Sequence, residues 1–190
     1  MPAFDRITLL THRLLLRPLC AADAPFVLAL FSDAGFMRFG STAPFVSIDE
    51  ADALVQRDIK AMAAGERIRL GLERVADGAV IGICTLFDLN AASRKAEIGY
   101  GLLRSAWGQG YMHEALCALL DHGFTEIGLN RVQAEIDPAN TDSARSLLRL
   151  GFVEEGRLRE SCSVNGVVSD SALYGLLRRE WRQGETISAT

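Results

Sequence analysis

The sequence predicts one α/β domain on a mixed sheet, and three features carry that expectation. Two helical patterns come early, a hairpin signal sits at Asp77-Gly78, and a strand–helix–strand unit occupies the middle of the chain. No internal repeat and no interdomain linker interrupts the 190 residues, a length that buries a single sizeable core.

In chain order, RLLLR (Arg13 to Arg17) reads as a first strand, and Cys20 to Asp33 as a helix with Pro25 near its start, where a missing N–H does no harm. SIDE, with Ser47 and Glu50, has the form of a capping box opening a second helix. Its apolar stripe is Ala51, Leu54, Val55, Ile59 and Met62. Arg67 to Val75 alternates as a half-buried strand, with Ile68, Leu70 and Leu72 on one face. Asp77-Gly78 turns it into AVIGICTLF, and KAEIGYGLL (Lys95 to Leu103) is the next strand. Met112, Ala115, Leu116, Leu119 and Leu120 then follow the spacing of an amphipathic helix. RVQAEI (Arg131 to Ile136) alternates again. A short helix follows, capped by Asn140 or Thr141, with Gly151 just past its end. Closing strands flank Asn165-Gly166, and a polar tail follows Trp181.

Composition narrows the function. Apolar residues make up 49% and charged residues 23%, an ordinary globular balance. Twenty basic against 24 acidic residues give a net charge of −4, which argues against a nucleic-acid partner. Cys20, Cys84, Cys117 and Cys162 are scattered without a CxxC pair and read as reduced thiols of a cytoplasmic protein. The N-terminus carries no apolar stretch of signal-peptide type, and no charge-free run is long enough to span a bilayer, so no membrane partner is expected.

Two glycines, Gly108 and Gly110, stand directly before the middle helix. A helix N-terminus offers unpaired N–H groups and positive potential, and glycine lets a phosphate approach that backbone. A tight strand-to-helix turn explains the same glycines equally well. The dinucleotide fingerprint fails, with His113 at its third glycine and Asn130 at its acidic position, and no Gly-Lys pair supports a phosphate-binding loop of the NTPase kind. HEALC (His113 to Cys117) approaches a zinc motif, but no third ligand follows at a recognisable spacing, so no metal is expected. His113 and Glu114 lie opposite the apolar stripe, on a face read as solvated.

EIGYGLLRSAWGQGYMHEAL resembles the acetyl-CoA-binding core of the GNAT N-acetyltransferases, with its strand, Q/R-x-x-G-x-G/A loop and helix. NTDSARSLLRLGF resembles that superfamily's next segment. THRLLLRPL with AADA, and SDSALYGLLRREW, resemble the opening and closing of its RimJ/RimL-like branch, the ribosomal-protein N-terminal acetyltransferases. The four segments occur in order and span nearly the whole chain.

The resemblance implies a single GNAT-type domain over residues 1–190, with 182–190 as a polar tail. Its sheet is mixed and mostly antiparallel, with a strand–helix–strand acetyl-CoA core and helices on both faces. Acetyl-CoA is then the acetyl donor. Backbone N–H groups of Trp107, Gly108, Gln109, Gly110, Tyr111 and Met112 would hold its pyrophosphate. Leu102, Leu103 and Arg104 would run beside the pantetheine arm, with an N–H of that strand polarising the thioester carbonyl. Asn140 would contact the same arm, unless it is a plain helix cap. Two departures stand out: Ser105 replaces the family's Gln or Arg, with Arg104 one residue early, and Leu147 occupies the position of a tyrosine proton donor. Ser143, one turn earlier, is the substitute donor, against the alternative of an ordinary first-turn serine.

An amine attacking a thioester must first be neutral, so a base is needed. Glu97, on the central strand and on the face opposite Ile98 and Tyr100, is the first candidate, against the alternative of an ion-paired surface glutamate. Glu135 is the second. Tyr100 and Tyr174 line the acceptor cleft or belong to the core, and Asp170 positions substrate or holds a turn. Phe31 to Phe45 and Leu158 to Ser163 read as variable loops. The expected acceptor is a primary amine, of a protein N-terminus, a polyamine, an amino acid or an antibiotic; the branch suggests a ribosomal-protein N-terminus without fixing it, and a homodimer is compatible with this reading. The competing reading is a non-catalytic acyl-CoA sensor on the same fold.

Overall fold

The computed structural model describes residues 3–40, 42–164 and 166–181. The polar tail expected after Trp181 and Asn165 of the last turn lie outside them. One sheet of eight strands organises the chain: β1 (Leu9–Leu10), β2 (Leu14–Pro18), β3 (Ile68–Arg74), β4 (Val80–Asn90), β5 (Lys95–Leu102), β6 (Arg131–Ile136), β7 (Val153–Val164) and β8 (Val167–Leu177). Their order is β1-β2-β3-β4-β5-β6-β8-β7, and every neighbouring pair is antiparallel except β5 and β6. Five helices decorate it: α1 (Ala24–Phe31), α2 (Ala34–Met37), α3 (Ile48–Ala63), α4 (Tyr111–Thr125) and α5 (Thr141–Arg149). No helix among the described residues is long and apolar enough to cross a membrane.

The expected mixed, mostly antiparallel sheet with helices on both faces is the observed architecture. On one face Leu14, Leu16, Leu70, Leu72, Cys84, Leu86 and Ile98 pack against Ala115, Leu116, Leu119, Leu120 and Phe124 of α4. On the other, Leu19 and Ile83 meet Val27 and Leu30 of α1 and Ala51, Leu54 and Val55 of α3. Burial of each such Leu or Val stabilises the fold by about 1.5–3 kcal/mol. A bulge serves both faces: Leu72 pairs with Gly82 and Glu73 with Val80, so Ile81 is the extra residue. Ile81 thereby joins Cys84 and Leu86 in the α4 core while Ile83 faces α1 and α3.

Several boundaries differ from the sequence reading. A two-residue β1 precedes the expected first strand. The segment Cys20 to Asp33 divides into a 3-10 turn, Ala21–Asp23, and α1, with Pro25 in its first turn. Asp23 forces that division, because its carboxylate accepts the Cys20 N–H at 2.7 Å and meets the Arg17 guanidinium at 2.7 and 3.0 Å. Burial alone would raise the Asp23 carboxyl, but these hydrogen bonds outweigh it and hold the group below its ordinary value. The capping box of α3 is present, with Ser47 accepting from Glu50 N–H. Its stripe needs one correction. Ile59 is 37% exposed, and Asp58, at 1%, takes the inward position. Asp58 sits there because Arg69 and Arg67 reach it at 2.8 and 3.3 Å.

Two segments read as loops contain regular structure. Phe31 to Phe45 contains α2, capped by Asp33, whose carboxylate accepts the Phe36 N–H at 2.7 Å. Leu158 to Ser163 lies within β7, as a bulged edge in which Leu158 pairs with Ser171 and Cys162 with Ser169. Asp170 holds the bulge by accepting the Glu160 N–H at 2.9 Å, so of its two expected roles the structural one is visible.

Candidate active site

The parallel pair β5–β6 opens early. Lys95, Ala96 and Glu97 pair with Arg131, Val132 and Gln133, after which the strands part although β5 continues to Leu102 and β6 to Ile136. Leu103 N–H donates to Ile81 O at 2.8 Å, which fixes the alternation along β5. Odd-numbered residues turn their backbone groups toward β4, and the N–H groups of Tyr100 and Leu102 point into the splay. The Leu102 carbonyl is already taken by the Trp107 indole N–H at 2.8 Å. The Leu103 carbonyl accepts from Ala106 N–H and the Arg104 carbonyl from Trp107 N–H. Of the three strand-end residues expected beside the pantetheine arm, Leu102 is thus the one whose N–H faces the gap. The exposed Arg104 guanidinium lies 5.9 Å from the Trp107 ring and leans toward Gly35 of α2.

The Trp107–Met112 loop delivers the chain to α4. Gly108 and Gly110 have φ of 72° and 78°, so the turn itself demands glycine at both. The space above is open: a Cβ on Gly108 would meet nothing within 4 Å, and one on Gly110 would meet only Arg13 Nη2 at 3.4 Å. Gly110 is the N-cap and supplies no side chain, and Glu114 N–H is the first to bond back, to Gly110 O at 3.1 Å. Among the described residues, the N–H groups of Gly110, Tyr111, Met112 and His113 have no acceptor. The Gln109 side chain braces the turn by donating to Ser105 O. An open, N–H-lined helix start has the chemistry to accept an anion such as a pyrophosphate, while the positive φ at both glycines is what a tight turn also requires.

Glu114 is not on a solvated face. Its carboxylate accepts from Thr11 Oγ1 and Arg13 N–H at 2.7 Å each and from Arg13 Nε at 2.6 Å. Burial would raise this carboxyl, but the three donors together hold it below the ordinary glutamate value. The helix wheel misled because the partner strand lies 101 residues away in sequence. His113 is exposed, as expected, and approaches only Cys117 Sγ at 3.7 Å.

Glu97 occupies the last paired position before the splay, half-buried on the face opposite Ile98 and Tyr100, with Gln133 Nε2 at 3.4 Å. Burial pushes its carboxyl up, Glu135 and Asp88 push the same way, and Gln133 and Lys95 oppose them without cancelling the rise. Glu135 is exposed two residues along β6 on the same face. Beyond Glu97 that face carries Gly99 and Gly101, lined by Phe87 and by Phe36 of α2, whose ring sits where a Gly101 side chain would be. The sequence reading missed Phe36 and this aromatic-covered face. Its signal was the alternation E-I-G-Y-G, which strips one strand face of side chains.

On the opposite face, Tyr100 reaches across to α5. Its hydroxyl is 2.8 Å from Ser143 Oγ and donates to Ser143 O at 3.3 Å. Burial pushes the phenol up to about 12, so it stays protonated. Asn140 caps α5, its Oδ1 accepting the Ser143 N–H at 3.2 Å. The structure thus groups Tyr100, Ser143 and Asn140 at the end of the splay, while Leu147 is fully buried in the core. Tyr174 belongs to the core as well, 4% exposed, with its hydroxyl on Glu154. Among the described residues no group of three His, Cys, Asp or Glu side chains is arranged to hold a metal.

Residues 13–153 match the family described as Acetyltransferase (GNAT) domain. The uncharacterized N-acetyltransferase p20 of Bacillus licheniformis is 34% identical over 174 residues, covering 92% of this chain and 98% of the relative. Mycobacterium smegmatis RimJ in complex with CoA-disulfide superposes with a TM-score of 0.84 at 26% identity, over 95% of this chain and 91% of that one. The spermidine N-acetyltransferase of Vibrio cholerae in complex with CoA and spermine gives 0.79 at 25%, over 90% and 98%. These likenesses run the length of the described sheet and include proteins holding the coenzyme, so the chain belongs to the GNAT acetyltransferase family, in its RimJ/RimL-like branch, as an acetyl-CoA-dependent N-acetyltransferase.

Proposed function

We propose that the protein acetylates the α-amine of a protein N-terminus, of the ribosomal-protein kind, by direct attack of the amine on acetyl-CoA. The observation that carries the mechanism is the division of chemistry between the two faces of β5. Glu97 stands beside the aromatic-covered Gly99 and Gly101 on one face, and the Tyr100–Ser143 pair spans the splay on the other. Acetyl-CoA supplies the activated acetyl group as a thioester. In this reading Glu97 takes the proton from the incoming amine, aided by a carboxyl already pushed up toward neutrality. One of the two N–H groups directed into the splay, that of Tyr100 or that of Leu102, donates to the oxyanion of the tetrahedral intermediate, the two being about 7 Å apart along the strand. Ser143, with the Tyr100 hydroxyl behind it, relays a proton to the departing thiolate; the pair regains that proton from solvent, and Glu97 releases the amine proton to solvent. Gly108 to Met112 seat the pyrophosphate, and Asn140 steadies the pantetheine arm from the helix cap.

On the face of β5 that bears Glu97, Phe87 covers Gly99 and the Phe36 ring covers Gly101, so α2 would border the acceptor beside Glu97. A Bacillus subtilis relative described as a putative ribosomal N-acetyltransferase, 39% identical over 109 residues, supports a ribosomal-protein acceptor. We place the enzyme in the cytoplasm, a reading supported by its four free cysteines. We also read it as a homodimer, supported by β7, a 12-residue edge strand that exposes Val153 and Leu158. The test is an acceptor panel with acetyl-CoA: N-terminal peptides of ribosomal proteins, the same peptides with blocked α-amines, and spermidine. Turnover of free-terminus peptides alone supports the proposal, whereas turnover of spermidine alone overturns the acceptor. Binding of acetyl-CoA without turnover of any amine would return the sensor reading.

A further inference from the structure

We propose that Arg13 supplies the cationic side chain of the pyrophosphate seat, and that Glu114 is the positioning residue that aims it. This rests on the reading of the Trp107–Met112 loop as that seat. The loop lacks a Gln or Arg at Ser105, and the adjacent Arg104 leans the other way, toward Gly35. Arg13 comes from the turn before β2 and fills the gap from outside the loop. Its Nη1 donates to Gln109 O at 2.8 Å, its Nε to Glu114 at 2.6 Å, and the guanidinium carbon lies 4.5 Å from the centre of the Tyr111 ring. Three contacts therefore fix one planar group against both ends of the glycine turn.

The remaining nitrogen, Nη2, has no acceptor among the described residues and lies 3.4 Å from the position a Gly110 Cβ would take. It is thus presented on the surface bearing the free N–H groups of Gly110 to His113. A guanidinium held this way loses little freedom on meeting an anion, and its fork suits two phosphate oxygens. Glu114 contributes without touching ligand. Its carboxylate sits in the first turn of α4, where its charge would oppose an anion. The Thr11 hydroxyl, the Arg13 N–H and the Arg13 guanidinium neutralise it.

The experiment compares acetyl-CoA with S-acetylpantetheine, which has no pyrophosphate, by calorimetry and thermal shift on the full chain. Arg13→Ala is expected to weaken acetyl-CoA by about 10- to 100-fold, the loss of a charged hydrogen bond, and to leave the S-acetylpantetheine response within about twofold. Glu114→Gln should show the same pattern at smaller amplitude. If Arg13→Ala does not fold, Arg13→Lys keeps a cation near Glu114 but loses the fork, and a several-fold loss for acetyl-CoA alone is expected. Wild-type affinity for acetyl-CoA in a folded variant, or equal losses for both donors, overturns the proposal. Gly108→Asn separates the two readings, because asparagine accepts the left-handed φ of 72° and its Cβ meets no neighbour within 4 Å. If it binds acetyl-CoA normally, the loop is not the seat. If it loses binding while Arg13→Ala keeps it, only the role of Arg13 fails.

Discussion

The Tyr100 hydroxyl and Ser143 Oγ are 2.8 Å apart and join two elements that the sheet itself leaves separate, since β5 and β6 have already diverged. In the proposed mechanism this contact takes the role that the resemblance implied for a tyrosine of the late helix, with the phenol arriving from the strand and Leu147 buried in the core. Ser143→Ala is expected to lower kcat by about 100-fold or more if the hydroxyl protonates the thiolate. Tyr100→Phe should cost less, and the double variant should cost little beyond the serine change, because the pair acts as one unit. Steady-state kinetics with acetyl-CoA checks this. A Ser143→Ala enzyme with wild-type kcat removes Ser143 from the chemistry.

Glu97 gives a prediction in pH. Its carboxyl is raised above the ordinary 4.5, so the ionised base is lost at a higher pH than for a free glutamate. The acid limb of kcat, read with the amine saturating, should lie above 4.5 in the wild-type enzyme and be absent from the residual activity of Glu97→Gln, with a loss of about 100- to 10,000-fold. The sign for stability is the reverse of a paired carboxylate. A folded value above the unfolded one means the wild-type chain is relatively most stable in acid and loses stability as pH rises through the folded value. Glu97→Gln should therefore melt higher than wild type at neutral pH, and the gain should vanish below the unfolded value. Equal pH profiles for the two enzymes would exclude Glu97 as the base.

How far the sequence alone could be read depended on whether each signal was local. The capping box at Ser47, the alternation of Ile68, Leu70 and Leu72 and the Asn140 cap lie within a few residues and appear as expected. Glu114 failed because its partners sit on the turn before β2, and no helical period reports a contact that far away. Asp58 failed similarly: a stripe argument assigns inward positions to apolar residues, and Arg69 lies on the strand that α3 covers. Leu158 to Ser163 looked like a loop because the edge strand β7 is wetted along most of its length, so no alternation marks it. The splay shows only in the pairing of β5 with β6, and its detailed polarity required the single bond from Leu103 N–H to Ile81 O.

The Asp58 cluster predicts a large structural effect. Asp58 is 1% exposed and pairs with Arg69, which also donates to Thr85 Oγ1 at 3.1 Å. Asp58→Ala would leave Arg69 without its buried counter-charge and should destabilise the fold by about 3–5 kcal/mol. Joint replacement of Asp58 and Arg69 by Leu and Met should recover most of that loss, since the penalty lies in the unpaired ion. Urea unfolding of the two variants decides between this and a packing explanation, which predicts additive losses.

Gly110 brings the turn and the ligand into one test. At φ 78°, a β-branched residue is strained, by about 1–2 kcal/mol on the cost of left-handed backbone. A native domain typically has about 5–15 kcal/mol of stability, so Gly110→Val should remain folded with a lowered melting temperature. Its Cβ would press on Arg13 Nη2 and cover the N–H groups at the start of α4. Acetyl-CoA binding should then be lost far beyond what the melting shift accounts for. Gly110→Asn is the useful companion, because asparagine accepts left-handed backbone at lower cost yet still projects a side chain over the seat. If strain alone matters, the asparagine variant keeps both stability and affinity. If the bare surface matters, it melts close to wild type and still loses the coenzyme in a calorimetric titration. Unchanged affinity in both folded variants would mean that the glycines serve only the turn.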